Sequence, residues 1–408
     1  MKRRRFLTGG SAAATASLLS DAAVIAVPAA LSLILPAPSF AAGPLVRPDY
    51  RLNFPRDFGA HPEYRTEWWY ATGWLRAGSS WIGMQLTFFR SRTLHNEQNP
   101  SRFAPRQLIL AHAAVALESE GKLRHDQRAA REGFTVGSFS DRDTEVNVLG
   151  WSLRRTPEDR YLTSIKADGF GLELTLTPNR PPLLQGRQGY SRKGPKPAQA
   201  SHYYSRPQLQ VSGQIRIDNR TTAEAGPQEG TSSMASQASS ERLLPVDGLA
   251  WLDHEWSSEY LDPDAAGWDW CGLNLEDGSA LMAFRIRRHD GSTLWSDAKW
   301  VDAQGREQRS EGKSINAQQL EEQDRAAQFA PRRHWHSLRS GARYPVAMRL
   351  QVAGRTLDLE PLFDDQELDT RASTGTIYWE GAVKVLEQGR LIGRGYMELT
   401  GYAGALKM

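Results

Sequence analysis

The sequence predicts an all-β protein made of two related antiparallel β-barrel domains in tandem, with few short helices. Three observations carry that expectation. Apolar and polar residues alternate in short runs that end at turn signals, as in closely spaced strands. Helical composition is confined to Asn316–Ala327. One aromatic-rich hairpin pattern recurs two hundred residues further along a chain of 408 residues, a length that suits two domains.

The first 42 residues read as an export signal. Met1-Lys2-Arg3-Arg4-Arg5-Phe6-Leu7 is a basic start, a small and apolar stretch follows from Ser11 to Leu35, and Pro-Ser-Phe-Ala-Ala suits cleavage near Ala41 or Ala42. Arg3-Arg4-Arg5-Phe6-Leu7 resembles the twin-arginine signal of proteins exported already folded, so a periplasmic location is expected. Asp21 interrupts the apolar run, which leaves no stable membrane span after cleavage.

The N-terminal domain is expected over 43–242. Gln107–Glu118 is a strand turned by Ser119-Glu120-Gly121. Ser164–Ala167, Asp168-Gly169 and Leu172–Leu176 form a hairpin, and Leu209–Asp218 still belongs to this domain. Residues 178–202, rich in Pro, Gly, Lys and Arg, and the polar residues 220–241 read as exposed loops. The C-terminal domain is expected over 243–408, with a hairpin at Met348–Val352, Ala353-Gly354 and Thr356–Leu359. The repeat links the two domains. Glu67-Trp68-Trp69-Tyr70 leads through Gly73-Trp74-Leu75 and Ala77-Gly78-Ser79 to Trp81–Arg90, and Gly267-Trp268-Asp269-Trp270 leads through Gly272, Leu275 and Asp277-Gly278-Ser279 to Leu281–Arg287.

Composition excludes several functions. The chain has 50 Lys+Arg against 47 Asp+Glu. Loss of Lys2, Arg3, Arg4, Arg5 and Asp21 with the signal leaves a neutral protein, without an electrostatic claim on nucleic acid. A single cysteine, Cys271, excludes an intrachain disulfide and reads as a small packed residue. The close histidine pair His334-Trp335-His336 lacks a third ligand, and no P-loop, dinucleotide fingerprint or Gly-x-Ser-x-Gly is present, so neither a metal nor another cofactor is expected.

Several motifs occur in an ordered set: Glu67-Trp68-Trp69-Tyr70; Tyr203-Tyr204-Ser205-x-Pro207 with Leu209 and Gly213; Gly248-x-x-Trp251-x-Asp253-His254-Glu255-Trp256; Tyr378-Trp379-Glu380-Gly381; and Gly395-Tyr396-x-Glu398-Leu399-x-Gly401-Tyr402. Together they resemble the AttH family, which includes the carotenoid 1,2-hydratases (hydroxyneurosporene synthases). The resemblance runs from about Tyr50 to Lys407 and implies two lipocalin-like barrels. For function it implies an exported protein that binds a hydrophobic, lipid- or isoprenoid-like molecule, with ABC-type permease components as partners. The alternative it implies is a hydratase acting on an isoprenoid alkene by acid–base catalysis.

Hydrating an unactivated alkene needs a carboxylic acid kept protonated by an apolar pocket, aromatic faces for the developing cation, and a base for water. The candidate catalytic residues are Asp253 or Asp269 as acid, His254 as base, and Trp256 with Trp268 as the cation-stabilising wall. Candidate ligand-binding residues are Glu67, Trp68, Trp69, Tyr70, Tyr203, Tyr204, Trp268, Trp270, Tyr378, Glu380 and Glu398. Strand alternation complicates the first set: Leu252, His254 and Trp256 share one face, Trp251, Asp253 and Glu255 the other. His254 and Trp256 can then line a cavity together, with Asp253 joining them only through a bulge. The Tyr-x-Asp pair that the resemblance to hydratases implies further along is missing. The bland readings are aromatic packing for the tryptophans, a buried hydrogen-bonded pair for Asp253 and His254, acids closing the second barrel for Glu380 and Glu398, and a pair with Arg65 for Glu67.

Overall fold

A computed structural model describes residues 43–93, 99–218, 241–259, 261–308 and 326–404. The signal at 1–42, residues 220–240 of the second expected loop and Asn316–Arg325 of the helical stretch lie outside them. Apart from one 3-10 turn at Arg56–Phe58, the regular elements among the described residues are strands.

The first sheet contains β1 (Thr66–Ala77), β2 (Ser80–Arg92), β3 (Gln107–Leu117), β4 (Lys122–Arg131), β5 (Gly137–Phe139), β6 (Glu145–Val148), β7 (Trp151–Arg155), β8 (Tyr161–Ala167), β9 (Phe170–Thr177), β10 (Leu183–Leu184), β11 (Tyr190–Arg192), β12 (Ala200–Asp218) and β13 (Glu241–Ser257). Its order is β4-β3-β2-β1-β13-β12-β9-β8-β7-β6-β5, with β10 and β11 on β12. Its two ends meet where the Gly133 N–H donates to the Gly137 carbonyl at 2.8 Å, so the sheet curls into a nearly closed barrel. The second sheet contains β14 (Ala265–Leu275), β15 (Ala280–Arg288), β16 (Thr293–Val301), β17 (Glu307–Gln308), β18 (Gln328–His336), β19 (Arg343–Val352), β20 (Arg355–Pro361), β21 (Glu367–Asp369), β22 (Ile377–Glu387) and β23 (Arg390–Leu399). Its order is β17-β16-β15-β14-β23-β22-β20-β19-β18, with β21 on β22.

The three expected hairpins form where their turns allow: β3–β4, β8–β9 and β19–β20. The repeat corresponds to two equivalent hairpins, β1–β2 and β14–β15. Gly78 and Gly278 occupy the same place in each turn at φ +62° and +81°, a conformation that a side chain resists.

Two boundaries differ from expectation. β13 is a central strand of the first sheet, pairing Thr66–Arg76 on one side and β12 on the other. A division at 242/243 would cut it away, and the change of sheet falls between Ser257 and Ala265. Residues 178–202 are not an exposed loop: they contribute β10, β11 and the start of β12, and Gln185, Ser191, Lys193 and Gln199 are buried. Composition misleads there because prolines and glycines shape a close-fitting cover over β12 rather than a solvated excursion.

Each sheet encloses its own apolar core, and a third core joins them. That shared core takes Tyr70, Trp74, Tyr203 and Trp251 from the first sheet and Trp270, Phe284, Tyr378 and Tyr396 from the second. The many tryptophans are spread over the several cores. Trp69, Trp151, Trp251, Trp256 and Trp379 are fully buried, each worth about 4 to 6 kcal/mol in apolar area removed from water. The sheets approach so closely that a Cβ on Gly83 would lie 2.5 Å from the Tyr396 hydroxyl. Among the described residues no helix is long and apolar enough to cross a membrane.

Candidate active site between the two sheets

Between the sheets lies a cavity of about 550 Å³, within the range of small-molecule sites. Strand alternation selects its walls. β1 sends Trp68 and Tyr70, β2 sends Thr87 and Phe89, β3 sends Leu108, Leu110 and His112, and β13 sends Asp253 and Glu255. The facing wall is Trp268 and Trp270 of β14, Phe284 and Ile286 of β15, Tyr378 and Glu380 of β22, and Glu398 of β23.

Asp253 is at the closed end. Its carboxyl accepts from the Trp251 indole at 2.7 Å, from the Tyr203 hydroxyl at 2.8 Å and from the Ser205 hydroxyl. Burial outweighs these donors and, with the Glu255 charge nearby, pushes the carboxyl up to about 7. Tyr203 in turn accepts from the Trp270 indole at 3.2 Å, so a tyrosine–aspartic acid pair of the first sheet is bonded to the second sheet through Trp270. Fifty residues separate Tyr203 from Asp253, which is why a Tyr-x-Asp search misses the pair.

Glu398 and Glu380 face each other across β22 and β23. Glu398 accepts from the Trp268 indole at 3.0 Å, and burial with the charges of Asp253 and Glu255 raises it to about 7. Glu380 accepts from the Tyr70 hydroxyl, and burial followed by the Glu398 charge holds it well above the carboxylate range. Both line the cavity, so neither closes the second barrel. Glu255 is ion-paired to Lys193 at 2.8 Å, with the ammonium set over the rings of Phe284 and Tyr203 at 4.2 and 4.6 Å. His112 bonds the Tyr378 hydroxyl at 2.8 Å and Ser373 at 2.9 Å, and burial lowers it to about 3, so it stays neutral. Sequence reasoning missed Lys193 and His112. The alternation of Trp251, Asp253 and Glu255 does mark Glu255, once that face is known to be the cavity face.

The other expected catalytic residues are elsewhere. β13 pairs β1 without a bulge across 251–256, so His254 and Trp256 point into the first barrel, away from Asp253. There His254 bonds Tyr204 at 3.0 Å and Glu67 at 2.9 Å and stacks on Trp69. Burial lowers its pKa despite Glu67. Trp256 stacks on His61 at 3.7 Å. Glu67 pairs with Arg90, not Arg65, at 2.8 Å; burial would raise its carboxyl, but Arg90 and the two histidines hold it well below the usual range. Trp69 and Tyr204 are therefore parts of the first barrel's interior, while Glu67, its carboxylate held by His61, Arg90 and His254, also borders the cavity. Asp269 lies on the face of β14 opposite Trp268 and Trp270. It is clamped by Arg285 at 2.6 Å, Arg287 at 2.9 Å and the Tyr402 hydroxyl at 3.0 Å, and so faces away from the cavity.

His61, Glu67 and His254 also bring three ligand atoms within 4.8 Å of one another, close enough to share a cation. His254 lies 187 residues from Glu67, unlike the exposed pair His334 and His336, which are close in sequence. As they stand, both histidines hydrogen-bond the same Glu67 oxygen, and a metal would have to compete with them and with the adjacent Arg90.

Two curled antiparallel sheets with an acid-rich, aromatic-walled cavity between them define a two-barrel β protein with an internal small-molecule site. Residues 45–402 match the AttH-like family model, and the chain belongs to that family. It is similar to an AttH protein of Nitrosomonas europaea, at 46% identity over 88% of this chain and 99% of that one, with a TM-score of 0.74. Kievitone hydratase of Nectria haematococca shares the fold at 12% identity, over 87% of this chain and 94% of that one, TM-score 0.59. CghA bound to Sch210972 shares it at 13% identity, over 90% and 97%, TM-score 0.50. A search of the curated proteins found no match.

Proposed function

We propose that the inter-sheet cavity binds a hydrophobic, alkene-bearing molecule of lipid or isoprenoid type and that Asp253 protonates it, as in hydratases. The observation that carries this reading is a fully buried carboxyl at about 7 on the wall of an aromatic cavity. In the proposed step the Asp253 proton forms a C–H bond with one alkene carbon, leaving a cation on the other. Trp268, Trp270 and Phe284 present ring faces to that cation. Water then forms the C–O bond, and its proton passes to an ionised carboxylate, with Glu398 as the partner poised at about 7. No histidine is required.

A carrier reading uses the same cavity without the proton step. It is favoured by the apolar entrance of Phe89, Leu108 and Leu110, and it suits an exported protein working beside an ABC-type system. The two readings separate on incubation of the protein with an acyclic isoprenoid in deuterated water. Deuterium and hydroxyl in the product of the wild type, absent with Asp253→Asn, is the expected result. A retained but unaltered isoprenoid leaves the carrier, and failure to retain any apolar molecule removes both readings.

A further inference from the structure

The cavity opens between the ends of β1–β3 and residues 374–376, where Arg65, Thr66, Ser91 and Leu108 form one rim. Residues paired across an antiparallel sheet share a face, so Thr66, Ser91, Leu108 and Arg131 form a continuous row at this rim. Arg131 ties the row to a pair of exposed aromatics. Its guanidinium donates to the carbonyls of Phe103 at 2.7 Å and Arg102 at 2.8 Å and covers the Phe134 ring at 4.6 Å. Phe103 and Phe134 stack at 5.3 Å and are 72% and 52% exposed. Leu149, 48% exposed, joins them because its N–H bonds Val136, and Leu108 is 37% exposed. Half of the large apolar side chains exposed among the described residues thus gather at this one end.

Two further features say what covers this patch. Phe134 and Thr135 sit at φ +55° and +61°, a left-handed conformation that bulky side chains avoid, and it holds the ring outward instead of against the sheet. Arg102 and Arg106 flank Phe103 and are exposed, as is Arg65 at the cavity rim, with Glu63 and Glu132 as the exposed acids beside them, one net positive charge. Projecting aromatic rings with Arg131 over one and Arg102 and Arg106 flanking the other match an interface of acyl chains beneath anionic headgroups.

We propose that this rim docks on an anionic lipid bilayer, with Phe103 and Phe134 inserted and Arg65, Arg102 and Arg106 on the phosphates, so that the cavity opens onto the membrane. The docking rests on the position of the mouth and not on the chemistry of Asp253, and either stands if the other fails.

The test is flotation of the full chain with vesicles of phosphatidylglycerol and phosphatidylcholine, beside vesicles of phosphatidylcholine alone. Wild type and the Phe103→Ser/Phe134→Ser variant carry the same basic, apolar residues 1–42, so the difference between them reads the patch. The variant is expected to lose at least tenfold in partitioning to the anionic vesicles. Arg102→Ala and Arg106→Ala are expected to lose about fivefold each, with the loss shrinking at high salt. Near-equal binding of wild type and the serine variant, or no binding by either, overturns the proposal. So does a wild-type dimer that the serine variant converts to monomer, because the patch would then be covered by a second copy.

Discussion

Replacing Asp253 by Asn tests the site without asking for a substrate. The folded protein raises this carboxyl from 3.8 to about 7, mainly through burial. Holding it ionised inside therefore costs the fold about 4 kcal/mol. Between those two pH values the native state keeps a proton that the unfolded chain releases, so stability falls as pH rises, by about 1.4 kcal/mol per pH unit from this group alone. Below both values the contribution is complete, and above about 7 the loss is complete. Asn is neutral throughout. Its amide must donate to Tyr203, whose hydroxyl now donates to Asp253, and reversing that bond costs about 1 kcal/mol at every pH. Urea unfolding at about pH 4, 5.5 and 7.5 should accordingly show a variant slightly weaker than wild type in acid and about 3 kcal/mol stronger above neutrality. A constant offset across the three conditions would refute the neutral-acid assignment.

The remaining predictions concern the partners of the site and the expected export signal. His254→Ala removes bonds to Glu67 and Tyr204 and the stack on Trp69, and is expected to cost about 3 to 5 kcal/mol in chemical denaturation. Ligand binding per folded molecule should stay unchanged, and intact stability with lost binding would put His254 back in the site. Lys193→Met strands the buried Glu255 carboxylate at a cost of about 3 to 5 kcal/mol, most of which Glu255→Gln should restore in the double variant. Additive losses in that cycle would mean the pair is not coupled. Arg3→Lys with Arg4→Lys should leave the chain in the cytoplasmic fraction, whereas unchanged periplasmic recovery would exclude the twin-arginine route.

Local pattern made much of this legible. The turn chemistry of Asp168-Gly169 and Ala353-Gly354 fixed two hairpins, and the Gly78/Gly278 register revealed the duplicated one. The alternation in 251–256 separated His254 and Trp256 from Asp253 and Glu255, as the structure has them. What alternation leaves open is which face meets a cavity. That depends on β13 lying between β1 and β12 and on the second sheet packing against its Asp253 face, both settled by distant residues. Lys193 was hidden for a similar reason. It lies in a stretch whose composition reads as solvated, yet it reaches an acid sixty residues away. Asp269 was misleading in the opposite sense, because its type suits an acid and only the register with Arg285 shows that it is ion-paired on the face away from the cavity.

The central place of β13 has a consequence for how the chain acquires its shape. Thr66 pairs with Ser257, so β1 waits for nearly two hundred residues before its second edge is covered. β14 likewise waits for β23, Asp269 meeting Leu399. Contacts so remote in sequence slow folding, since a long loop must close before any of them forms. During synthesis the first sheet is therefore held open, with its β1 and β12 edges bare, until Ser257 has emerged. A chaperone that shields strand edges would find its substrate in this protein at that stage, before either barrel exists.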